Sequence, residues 1–183
     1  MKILTNNLQL QKVFATIVEE EITKNYVRDI ALLVGTDKLS TGSIQIILDK
    51  YGINSLLDIK IDLLSLLIAY AKIILTDDNI TETEKATFKL LTRLFKIKEG
   101  DFYKYKTFEL SELLHLQFEK LYSDNIITNE ESLHNFDIQD IFSLSYAQFE
   151  TLRENEIKIA LDRGANITHL DTANTKYKVK QIK

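Results

Sequence analysis

The chain has 183 residues, 45% of them apolar, which is enough to bury one sizeable core and short for two. It contains no cysteine, which excludes disulfide frameworks, thiolate metal sites and cysteine nucleophiles; no proline and only five glycines argue against collagen, disordered linkers and a turn-rich β-sandwich. A net charge of −4 and a pI near 5.5 exclude attraction to nucleic acid by bulk electrostatics.

In chain order, Leu10, Val13, Phe14, Ile17 and Val18 fall at helical spacing against Glu19, Glu20 and Glu21, predicting a first amphipathic helix. Met1 to Asn7 lacks the apolar core of a signal peptide, so a cytoplasmic protein is expected. Tyr26 to Val34 reads as helix or strand; Gly35 stops it, and Ile44 to Tyr51 reads as a helix ended by Gly52. Asn54 can cap a helix running from Leu56 to Leu75, apolar on most sides and therefore central. Lys72 interrupts its apolar run, which falls short of the roughly 20 residues that cross a bilayer, so no membrane insertion is expected.

The next segment repeats at an offset of 47 residues. Asp77, Ile80, Thr81, Glu84, Phe95, Ile97 and Phe102 match Asp124, Ile127, Thr128, Glu131, Phe142, Leu144 and Phe149 without a gap. The helix face reads as Ala86, Leu90, Leu91 and Leu94 in the first copy and as Leu133, Ile138 and Ile141 in the second. Leu110, Leu114, Phe118 and Leu121 make the connecting helix. A last helix carries Phe149, Leu152, Ile159 and Ala160 and ends at Arg163-Gly164. The expected architecture is all-α, two related helical hairpins about a pseudo-twofold axis, with residues 1–56 as a helical annex, 57–165 as the repeat domain and 166–183 as a basic extended tail. Thr81 with Glu84, and Thr128 with Glu131, each have the spacing of a capping box.

Ala69 to Glu84, with its second copy at Tyr122 to Glu131, resembles the tellurite-resistance TerB-like family over roughly residues 57–165. The resemblance implies a pseudo-symmetric helical bundle acting as a non-catalytic adaptor or scaffold. It also implies that Asp77, Glu84, Asp124 and Glu131 can line a divalent-metal site, although Asp78 and Asn125 stand where the family's turn has glycine. The residues themselves fit turn closure and capping as well as metal binding. An EF-hand is excluded, because counting from Asp77 puts Glu82 where glycine is required and Phe88 where a bidentate glutamate is required.

Other chemistry is sparse. His115, His134 and His169 show no metal-ligand spacing, and no glycine-rich phosphate loop or Gly-x-Ser-x-Gly elbow occurs. Phe102 to Lys106 interleaves aromatics with lysines but reads as the start of a helix. No enzyme activity, cofactor or nucleic-acid partner is expected; a protein partner or self-association is. After Asp171 come Lys176, Lys178, Lys180 and Lys183 with no acid. Alternation from Lys176 through Tyr177, Lys178, Val179 and Lys180 predicts a strand-like segment that docks on a partner. A component of a larger assembly, such as a phage particle or contractile machine, is the alternative to a scaffold; a metal-sensing protein is a third reading.

Overall fold

The computed structural model describes residues 7–20, 24–36, 38–76, 80–121 and 129–163. Among them the fold is all-α, in nine helices: α1 (Asn7–Glu20), α2 (Asn25–Leu33), α3 (Thr41–Lys50), α4 (Lys60–Ile74), α5 (Glu82–Leu94), α6 (Asp101–Tyr105), α7 (Thr107–Leu121), α8 (Asn129–Ile141) and α9 (Tyr146–Asp162). The ambiguous stretch at 26–34 is helix α2, whose Val27, Ile30 and Ala31 sit one turn apart on the buried side. A segment able to be strand or helix becomes helix because that face meets α1 and α4.

Helix α4 is the centre. Leu63, Leu64, Leu66, Leu67, Ile68, Ala69, Tyr70, Ala71 and Ile74 are all buried, and α1, α2, α5 and α7 pack around it. It starts later than the sequence suggests: residues 56–59 form turns, Ile59 holds the cap position, and Asn54 does not cap it. Asp58 instead accepts a hydrogen bond from the Ser55 amide, which holds that turn closed, and Leu57 is left on the surface. One contiguous core joins Phe14 and Ile17 of α1 to Phe149 of α9. Through it runs a chain of rings: Phe14 lies 5.0 Å from Tyr70, Tyr70 stacks 6.1 Å from Phe88, and Phe88 meets Phe142 edge-on at 5.7 Å. Phe102 meets Phe142 at 5.2 Å and Phe88 at 6.0 Å.

Helices α5 and α8 begin and end 47 residues apart, and their exits share one hydrogen-bond pattern. Ile97 N–H donates to Thr92 O and Lys96 N–H to Arg93 O; Leu144 N–H donates to Gln139 O and Ser143 N–H to Asp140 O. Both are Schellman caps, and both place a non-glycine residue in the left-handed region, Lys96 at φ 55° and Ser143 at φ 48°. The same cap closes α3, where Gly52 takes φ 65° without a side chain to strain. Phe95, Phe102, Phe142 and Phe149 are all buried. Past the caps, Asp101 Oδ2 accepts from Lys98 N–H and Gln148 Oε1 accepts from Ser145 N–H, again 47 residues apart.

Three details depart from the sequence reading. The packed face of α5 is Thr87, Phe88 and Leu91, with Ala86 exposed, because Phe88 rather than Ala86 points at Tyr70. Helix α6 stops after five residues, where Lys106 turns to φ −136°, whereas α9 continues for 17. On α9, Ile159 is 36% exposed, while Glu150 and Arg153 are buried as an ion pair 2.8 Å apart. Residues 122–128 and everything after Arg163, including the strand expected at 176–180, lie outside the described residues.

The capping box at Thr81 is present. Its hydroxyl accepts the Glu84 amide at 3.2 Å, and Glu84 Oε2 accepts the Thr81 amide at 2.8 Å. Thr81→Ala is expected to lower stability by about 0.5 to 2 kcal/mol, read as a fall in the urea midpoint with an unchanged slope; equal midpoints would remove the cap from the account of α5.

Candidate functional site

Of the four acidic positions expected to hold metal, Glu84 is the third residue of α5 and Glu131 the third residue of α8. Asp77 and Asp124 lie outside the described residues, as does the side chain of Glu131. Glu84 Oε2 is engaged by the Thr81 amide and, at 2.7 Å, by the Thr81 hydroxyl, so this oxygen serves the helix start. Among the described residues no group of three or more His, Cys, Asp or Glu side chains is placed to hold a metal ion.

The feature shaped to receive something is a groove of about 550 Å³ between α4 and α7. Its α4 wall is Ser65, Ile68 and Lys72, spaced three and four residues apart on one face; its α7 wall is Glu109, Glu112, Leu113, His115 and Leu116. The two helices end side by side, for the amide of the buried Gln117 donates to Leu75 O at 3.2 Å. Three of the exposed apolar residues belong to the same two helices: Ile61 is 54% exposed, Phe108 71% and Leu116 55%. Phe108, Glu112 and Leu116 are successive residues at four-residue steps, so they form one stripe along α7.

The polar groups of the groove divide into committed and open. Ser65 Oγ donates to Ile61 O within its own helix at 3.1 Å, so its hydroxyl proton is already placed. His115 Nδ1–H donates to Glu156 Oε2 at 2.5 Å, joining α7 to α9, which make the most extensive helix–helix contact of the fold. Glu109 pairs with Lys106 at 2.6 Å, and that ammonium, with its own helix-start amide, holds the Glu109 carboxyl below the usual carboxylate range. Glu112 has no hydrogen bond or ion pair among the described residues. What this arrangement can do is bind: it offers apolar surface and, at Glu112, a carboxylate without a partner among the described residues, with its serine engaged within α4 and its histidine joining α7 to α9.

A second concavity, about 700 Å³, lies where α8 meets α9, between Glu99, Phe136, Asp137, Asp140 and Tyr146. Two of its acids are answered by lysines of α5: Lys85 pairs with Asp137 at 2.7 Å and Lys89 with Asp140 at 2.6 Å. These pairs tie α5 to α8.

Sequence reasoning passed over Lys72, Glu109, Glu112 and Glu156, and took His115 only as a solvated or packed histidine; it is packed, against Glu156. The available signal was the spacing of Phe108, Glu112 and Leu116, which puts two large apolar side chains on a stripe separate from the buried Leu110, Leu114 and Phe118. No helix among the described residues is long and apolar enough to cross a membrane. No family model matches the chain, and neither a curated protein nor a solved structure does.

Proposed function

We propose that this chain is a non-catalytic helical interaction module of the cytoplasm, holding a protein partner on the face formed by α4 and α7. The observation that carries the reading is the exposure of Ile61, Phe108 and Leu116 around a groove with an open carboxylate at Glu112. Large apolar side chains grouped on one face favour a binding surface over a solvated one. The complementary partner presents apolar side chains flanked by lysine or arginine, a helix laid in a groove being the simplest form. The matched caps after α5 and α8, with buried phenylalanines at matched positions, support a TerB-like pseudo-twofold arrangement of the two hairpins. The capping role of Glu84 makes the acidic turns structural in this reading rather than metal-binding.

The test is a binding measurement on a purified partner first identified by crosslinking. Phe108→Glu and Leu116→Glu are both surface changes, so the melting temperature should hold, while affinity falls about 25-fold or more, as for a hot-spot residue. Undiminished affinity in both variants would remove the α4–α7 face from the function.

A further inference from the structure

We infer that α8 is a detachable cover on α5, opening as a unit while the rest of the fold stays closed, because the buried amide of Asn135 is a cost that the closed state carries and the open state does not. The inference does not depend on the α4–α7 face.

Three observations converge. The first is the amide itself. Asn135 is 5% exposed, yet neither its Nδ2 nor its Oδ1 has a hydrogen-bond partner among the described residues. Water satisfies such a group on both atoms, so closing α8 over it forfeits those bonds with nothing in exchange. Buried side-chain amides are as a rule satisfied, and opening the helix is one way to satisfy this one.

The second is the repeat. Helices α4 and α7 also begin and end 47 residues apart, so the offset relates α4 and α5 to α7 and α8. It carries the buried Tyr70 onto Gln117 and the fully buried Phe88 onto Asn135. The first copy joins α4 to α5 by stacked rings 6.1 Å apart, and the second has two amides at those positions. Gln117 spends its amide outside its own copy, donating to Leu75 O at 3.2 Å. Asn135 has no such outlet among the described residues, so α8 lacks the aromatic clamp that holds α5 on α4 and gains no hydrogen bond in its place.

The third is what holds α8 closed. It packs chiefly on α5, and its buried apolar side chains among the described residues are Ile138 and Ile141, with Phe142 just beyond. Two ion pairs reinforce this contact, Lys85 with Asp137 and Lys89 with Asp140. The Lys89 and Asp140 side chains are each more than half exposed, and pairs of that kind hold weakly. An open α8 uncovers Lys85, Phe88 and Lys89, which share one face of α5. An internal contact becomes a basic, apolar surface, opposite in charge to the Glu112 side of the α4–α7 groove.

Native-state hydrogen exchange on the full chain, followed residue by residue at low urea concentrations, tests this. The α8 amides should exchange about tenfold or more faster than those of α4, through an opening whose urea dependence is shallower than that of global unfolding. Asn135→Leu keeps the branched shape and removes the amide, and should slow α8 exchange by about tenfold. Asn135→Asp, close to asparagine in size, should speed it at neutral pH, since a charge is costlier to bury than an amide. This second variant carries the test if the larger leucine does not pack. Equal rates and equal urea slopes for α8 and α4 would mean that α8 opens only with the whole protein, and would overturn the inference. So would α8 exchange unchanged in both Asn135 variants, the sign of an amide already satisfied by water in the closed state.

Discussion

Phe88→Ala is expected to lower stability by about 3 to 5 kcal/mol, the range for deleting a buried aromatic side chain. Phe88 is fully buried and stands at the junction of the ring chain, touching Tyr70 of α4, Phe102 of α6 and Phe142 just past α8. No single helix can move to refill the space, because three separate elements line it and each is held elsewhere. The transfer and cavity contributions therefore add rather than relax away. Urea unfolding monitored by circular dichroism gives the figure, and Phe108→Ala, at a 71% exposed site on α7, is the matched control expected within about 0.5 kcal/mol of wild type. A loss below about 1 kcal/mol for Phe88→Ala would mean a centre looser than these contacts imply.

The second large effect belongs to Asp101. Its carboxylate accepts Lys60 Nζ at 2.7 Å and the Lys98 amide at 2.8 Å, binding the start of α4 to the turn before α6. Burial by itself pushes this carboxyl up, but the Lys60 ammonium and the Lys98 amide outweigh it and hold the group below its ordinary value of 3.8. Both side chains are largely shielded, so Asp101→Ala leaves Lys60 nearly buried without its counter-charge and is expected to cost on the order of 3 kcal/mol at neutral pH. Asp101→Asn keeps an acceptor for the Lys98 amide and isolates the charge. Because the folded value is depressed, the charge contribution is fully present above pH 3.8 and is lost as pH falls from there through the folded value. The stability gap between wild type and Asp101→Asn should therefore be flat near neutrality and narrow below about pH 4, in urea titrations at each pH. A gap independent of pH across that range would assign the effect to packing alone.

The helices were legible in the sequence wherever apolar residues recur every three or four positions, as in α1, α5 and α7. Helix α2 was not, because its nine residues contain too few turns for either period to win, and α1 and α4 decide the outcome. The left-handed turns at Lys96 and Ser143 carry no local signal, since neither residue type favours that backbone; Ile97 and Leu144 are apolar for the core beneath, which holds the turns in place. Glu150 and Arg153 are charged and three residues apart, which gives no local sign of burial, yet the folded chain shields both. The groove escaped for a related reason: Lys72, Glu112 and Glu156 are up to 84 positions apart and become neighbours through helix packing. The acidic turns were conspicuous because they recur, and in the described copy recurrence marks a helix start.

Two tyrosine–aspartate–lysine clasps bracket α2. Tyr26 and Lys24 both bind Asp62 at the start of α4, at 2.6 and 2.7 Å, and Tyr51 and Lys50 both bind Asp29 from the end of α3, at 2.9 and 2.7 Å. A nine-residue helix is too short to persist on its own in water, so α2 has no free-standing existence between its two fastenings. Its opening is then shared: α3 stays attached to α2, and α1 cannot leave without stripping Phe14 from Tyr70. The first three helices are therefore expected to open from α4 as one unit, at a free energy below that of global unfolding, because α5 and α7 still cover α4. Native-state hydrogen exchange should then show α1 to α3 exchanging as a block before α4; independent exchange of the three helices would count against the unit.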